Sequence, residues 1–117
     1  MTVDKTVLNS LQESIQIWDA EGKKLFCNNQ TCNLFDVKPT KTERADELFS
    51  QWRFYDMDEQ PVSFKKLPLY QTMESGEPCQ DVILKMVLPD QVKWVKMGAT
   101  PYRDDAGKLE AIVTTML

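Results

Sequence analysis

The sequence predicts an α+β domain: a five-stranded antiparallel sheet with helical connections on one face and an amphipathic helix ahead of it. Three observations carry this. The last third of the chain holds three apolar/polar alternating runs separated by turn residues. A shorter pair of such runs lies near the N-terminus. Between the two groups, helical spacing and proline or glycine punctuation replace the alternation. Strands grouped this way pair through hairpins, and the helices between them cover one face.

Residues 1–13 form the leading helix. Val3, Val7, Leu8 and Leu11 recur at helical spacing. About three turns are marginal in isolation, so this stripe must pack on something. Residues 14–117 form the main domain. Ile15 and Ile17 alternate with Ser14 and Gln16, Asp19 to Gly22 is a turn, and Lys23 to Cys27 returns as the second strand. Asn28 and Asn29 sit where a helix should begin, since an Asn side chain can accept from first-turn amides. That helix covers Thr31 to Val37 and stops before Pro39.

Residues 38–65 are the least regular. Ala45 to Phe49 fits a helical turn. Trp52, Phe54 and Tyr55 form an aromatic cluster expected to pack on the sheet. Asp56 and Asp58 resemble the start of a calcium loop, but the glycine and distal glutamate are missing, which favours a plain turn. Leu67 to Ser75 is a helix with Pro68 in its first turn and Gly76 at its stop. Three strands follow: Asp81 to Leu88, Val92 to Tyr102 and Leu109 to Leu117. The last is apolar along nearly its whole length, as a central strand would be.

Composition narrows the function. A chain of 117 residues makes one domain. The net charge is −4 and the longest basic clusters are the pairs Lys23-Lys24 and Lys65-Lys66. That argues against nucleic acid and against an anionic membrane surface. No apolar run is long enough to insert into a membrane and the N-terminus has no signal pattern, so the expectation is cytoplasmic. The cysteines Cys27, Cys32 and Cys79 are odd in number and irregularly spaced, which fits buried or half-buried thiols. There is no histidine. The usual general base, zinc ligand and axial haem ligand are therefore missing, and no glycine-rich phosphate loop replaces them. The chain is not expected to be an enzyme or to hold a metal.

Four stretches together resemble the PAS family. They are Ile15-Gln-Ile-Trp-Asp19 with Gly22 and Asn28, the segment Asn28 to Phe35, the segment Pro68 to Glu77, and Trp94 through Pro101 to Asp104 and Gly107. Their order and spacing cover residues 8–117. The resemblance implies a sensory or dimerisation module of a bacterial signalling protein, with residues 14–117 as the sensor domain. It implies an effector domain C-terminal to Leu117: first a histidine kinase of a two-component system, with a diguanylate cyclase, a chemoreceptor or a ligand-free interaction module as alternatives. The flavin photosensors of the family carry a reactive cysteine in a G-x-N-C-R-F-L-Q motif. Here the nearest match, Asn29-Gln-Thr-Cys32, lies in the wrong helix and lacks the Arg and Gln. Flavin adduct chemistry is not supported, nor is haem, and the cofactor stays unknown.

Strand alternation then sorts two candidate sites. Leu25, Leu84, Met86, Val95, Met97 and Ala99 would face the helices, with Trp52, Phe54 and Tyr55 as cover. They make either a plain core or a pocket for a small apolar or aromatic ligand. Trp18, Ile83, Val87 and Trp94 would stand on the far side. Val3, Val7 and Leu11 would dock there, from the same chain or from a second copy in a homodimer.

Overall fold

The computed structural model describes residues 13–28 and 44–117. The helices expected over 1–13 and 31–37, with Val3, Val7, Leu11 and Cys32, lie outside these residues. Seven strands are described: β1 (Ser14–Asp19), β2 (Lys24–Cys27), β3 (Arg53–Tyr55), β4 (Pro61–Val62), β5 (Cys79–Val87), β6 (Val92–Arg103) and β7 (Leu109–Met116). They form one sheet in the order β2-β1-β7-β6-β5-β3-β4, and every pairing is antiparallel. Two α-helices are described, α1 (Ala45–Phe49) and α2 (Pro68–Ser75), with a 3-10 turn at Phe64–Lys66 before α2. The α+β architecture with helices on one face is as the sequence predicts. The strand count is not: five were expected, and two more appear, β3 in the aromatic cluster and β4 at Pro61–Val62. Arg53 to Tyr55 does not merely pack on the sheet. It joins the sheet by pairing with Lys85 to Val87.

One turn chemistry closes three of the hairpins. In the loops starting at Asp19, Asp56 and Asp104, the carboxylate oxygen accepts from the amides two and four residues on, at 2.9–3.0 Å. The Asp amide donates to the carbonyl of the fourth residue on, at 2.8–2.9 Å. Each loop turns through a left-handed residue at its fourth position: Gly22, Glu59 and Gly107. The short Asp side chain satisfies loop amides that the strands cannot. The D-x-x-G spacing is the sequence mark of this loop in two cases. In the third, Glu59 takes the glycine's place at φ 61°.

Gly107 isolates the backbone cost. A Cβ there would meet nothing within 4 Å, so Gly107→Ala carries no clash. It is expected to cost about 1–2 kcal/mol from the left-handed conformation alone. Gly107→Asn, which tolerates that region, should lose clearly less. A urea titration of the two variants checks the difference.

The core lies between the inner sheet face and the two helices. Leu84 and Met86 of β5, Val95, Met97 and Ala99 of β6, and Ile112 and Met116 of β7 face Leu48 and Phe49 of α1 and Leu69 of α2. The strand β7, between β1 and β6, is central as its apolar run predicts. Helix α2 starts at Pro68 and ends at Gly76 in the left-handed conformation (φ 72°), whose amide bonds back to the Thr72 carbonyl. That is the stop expected of the glycine.

Candidate functional site

Strand β1 sets the site, and its orientation differs from the simple alternation. Ser14, Gln16 and Trp18 pair with Met116, Thr114 and Ile112, the inward residues of β7. They therefore face the helices, while Ile15 and Ile17 face the other side. Trp18 was expected on the far side with Trp94, and that expectation is corrected: Trp18 is 0% exposed and belongs to the core. The reason is physical. Ile15 and Ile17 are also out of water, so both faces of β1 are buried. Polarity alternation then no longer marks the core face.

A buried hydrogen-bond relay follows from this register. The indole Nε1–H of Trp18 donates to Thr114 Oγ1 at 3.0 Å. The Thr114 hydroxyl donates to Gln16 Oε1 at 3.1 Å. Gln16 is 1% exposed, and its Nε2 has no hydrogen-bond partner among the described residues. Gln16 and Thr114 line a half-open cleft with Phe49, Leu67, Leu69, Met97 and Met116. Its cavity volume is about 20 Å³, and its empty space including the mouth is about 240 Å³.

Of the expected pocket residues, Phe54, Leu84, Met86, Val95, Met97 and Ala99 are buried on the inner face. Only Met97 reaches this cleft. Trp52 is half-buried and meets Phe49 edge-on at 6.1 Å. Two placements are corrected. Leu25 is 58% exposed. The β1–β2 register slips between Ile17 and Trp18, which pair with Phe26 and Lys24, so Leu25 is the unpaired extra residue of a bulge. Tyr55 pairs with Lys85 and shares the outer face with it, Lys85 Nζ lying 5.1 Å from the ring centre. Sequence reasoning missed Gln16, Phe49, Leu67, Leu69, Thr114 and Met116. The β1–β7 register was the signal that would have found Gln16, Thr114 and Met116.

The outer face carries Ile83, Val87 and Trp94 as expected. Ile83 and Trp94 are exposed and Val87 is half-buried. Cys27 is buried and Cys79 half-buried. Among the described residues no three His, Cys, Asp or Glu side chains come together to hold a metal. No described helix is long and apolar enough to cross a membrane.

Near the cleft, α1 and α2 are tied by polar contacts. The Tyr70 hydroxyl donates to Asp46 Oδ1, and Lys65 Nζ lies 3.3 Å from Asp46 Oδ2. The Tyr70 bond, followed by Lys65 and against some burial, holds the Asp46 carboxyl below its ordinary value. Burial first, then the Asp46 bond, pushes the Tyr70 phenol up. A lowered Asp contributes stability above its unfolded value of about 3.8, lost as pH falls through the folded one. A raised Tyr contributes below about 10 and loses it as pH rises through the folded value. Tyr70→Phe should therefore cost under about 1 kcal/mol, as exposed charged pairs do. The loss should stay constant from pH 5 to 9 and shrink as pH falls below about 3.8 and through the lowered Asp46 value. Paired urea melts across pH test this.

This sheet order, with helices over one face, defines a class of small α+β domains. Comparison with solved structures places the chain in it: the chain has the PAS fold. The PAS domain of nitrogen regulation protein NR(II) from Vibrio parahaemolyticus matches with a TM-score of 0.69 at 13% identity, covering 100% of this chain and 98% of that one. The PAS domain of Bordetella pertussis BvgS matches at 0.63 and 18% identity, covering 97% and 79%. The N-terminal domain of a diguanylate cyclase with PAS/PAC sensor from Marinobacter aquaeolei matches at 0.65 and 13% identity, covering 91% and 94%. No family model and no curated protein sequence matches.

Proposed function

We propose that this domain is the sensory input module of a bacterial signal-transduction protein. It takes a small ligand between sheet and helices and passes the change out along β7. One observation carries this reading. The relay from Trp18 through Thr114 to Gln16 ties the central strand directly to an orphan polar group at a cleft. In a longer protein the effector would follow Leu117. A histidine kinase is the first reading, with a diguanylate cyclase or chemoreceptor as alternatives.

A thermal-shift screen of metabolites, with native mass spectrometry of the purified domain, tests it. A ligand at a hundredfold its Kd adds about 2.7 kcal/mol, or roughly 10 °C for a domain of this size. If no mass co-purifies and no compound stabilises the domain, the ligand reading is lost.

A second reading rests on the outer face. Ile83, Val92 and Trp94 are exposed large apolar residues on the adjacent strands β5 and β6. Such a patch suits a partner, and a second copy of this chain is the first choice. Light scattering at high micromolar concentration should then give the mass of two chains, and Ile83→Asp with Trp94→Ser should restore one. A wild-type mass of one chain removes this reading.

A further inference from the structure

The directions of the hydrogen bonds in the relay say which chemistry the cleft selects. An indole nitrogen can only donate, so Thr114 Oγ1 must accept from Trp18. The hydroxyl has a single proton, and it goes to Gln16 Oε1. The Gln16 amide therefore presents its donor side, Nε2, without an acceptor among the described residues. Buried donors are nearly always satisfied, and an unsatisfied one asks for a missing partner.

The rest of the lining defines that partner. Phe49, Leu67, Leu69, Met97 and Met116 are apolar, and none of the described lining residues is ionisable. A charged group would lose its hydration there with no counter-charge to meet it. A lone water fits a cavity of about 20 Å³. It would find Gln16 Nε2 and the one spare lone pair of Thr114, at the low end of what holds a buried water. The cleft also continues into an open mouth, with room for more than the water-sized space beside Gln16.

We infer that the cleft takes a small neutral molecule with an apolar body and one hydrogen-bond acceptor, a carbonyl or ether oxygen, held by Gln16 Nε2. This rests on the ligand-binding reading above and names the class of ligand. The acceptor enters the water-sized space beside Gln16. The body lies in the mouth against Phe49, Met97 and Met116.

Cyclopentanone and methylenecyclopentane test it, since they share a shape and differ in C=O against C=CH₂. Titrations of the ¹⁵N-labelled domain would follow the Gln16 side-chain amide and the Trp18 indole N–H. The ketone should shift both resonances saturably and bind roughly five- to tenfold tighter, the worth of one neutral hydrogen bond. The hydrocarbon is the more hydrophobic probe, so unspecific uptake would favour it and give the opposite sign. Gln16→Met should erase the preference, and if that variant does not fold, the wild-type pair still decides. Equal binding, or tighter binding of the hydrocarbon, overturns the acceptor class and leaves a ligand site standing. If neither probe moves Gln16, the donor is served by water, and both this inference and the ligand reading fall for this cleft.

Discussion

Trp18→Ala is expected to cost about 3–5 kcal/mol, the range for emptying a large aromatic site from a core. Trp18 is fully buried, stacks at a tilt on Phe49 with ring centres 5.8 Å apart, and donates to Thr114. Domains of this size have only about 5–15 kcal/mol in total, so the melting temperature should fall by roughly 12–20 °C. Trp94→Ala is the control, because Trp94 is 52% exposed. It should cost about 1 kcal/mol or less. Urea midpoints of the two variants decide the register of β1. Equal losses would put Trp18 on the outer face beside Trp94, as alternation alone suggests. Trp18→Phe keeps most of the packing and removes the indole N–H. It should fall between the two and free Thr114 from the relay.

The architecture was legible because most elements carry their own local instructions. Strand alternation in β5 and β6 placed Leu84, Met86, Val95, Met97 and Ala99 correctly on the inner face. Pro68 and Gly76 bracket α2, and two of the Asp loops announce themselves by glycine. The hairpin of β3 and β4 was missed because its loop has Glu59 where the others have glycine. Its strands are also only three and two residues long, too short to show a period. The pairing of Arg53 to Tyr55 with β5 is a long-range contact that no local pattern encodes.

The site was less legible, for a different reason. On a strand buried on both faces, polarity contrast does not mark the core side, so Ile15 and Ile17 looked like the core side when Gln16 and Trp18 hold it. One bulge then sent Leu25 outward against the alternation. Gln16 reads in sequence as an ordinary polar residue of a half-buried strand, and Thr114 as one position of the buried last strand. Only the pairing of Gln16 with Thr114 across β1 and β7 makes them a buried polar site.

Asn28→Ala is expected to be the second large loss, at about 2–4 kcal/mol. The sequence suggests Asn28 as the cap of a following helix, a role worth about 1 kcal/mol. Its side chain does more. The backbone amide of Asn28 donates to the Ile15 carbonyl at 2.9 Å. The Ile15 amide returns the bond to the side-chain Oδ1 at 3.0 Å, so the side chain stands in for a backbone carbonyl where β2 leaves the pairing. Nδ2 donates to the Glu13 carbonyl at 2.8 Å. Asn28 is fully buried, so truncation leaves the Ile15 amide without this acceptor, away from water. An abandoned buried donor costs about 1–3 kcal/mol beyond the lost bonds. Native-state hydrogen exchange separates the two roles. If Asn28 clamps β1, the Ile15 amide loses protection in the variant and stability falls by the larger amount. If it only caps, the loss stays near 1 kcal/mol and Ile15 exchanges as before. A loosened β1 would also release Gln16 one residue on, so the same variant should blur any discrimination between the ketone and its hydrocarbon twin.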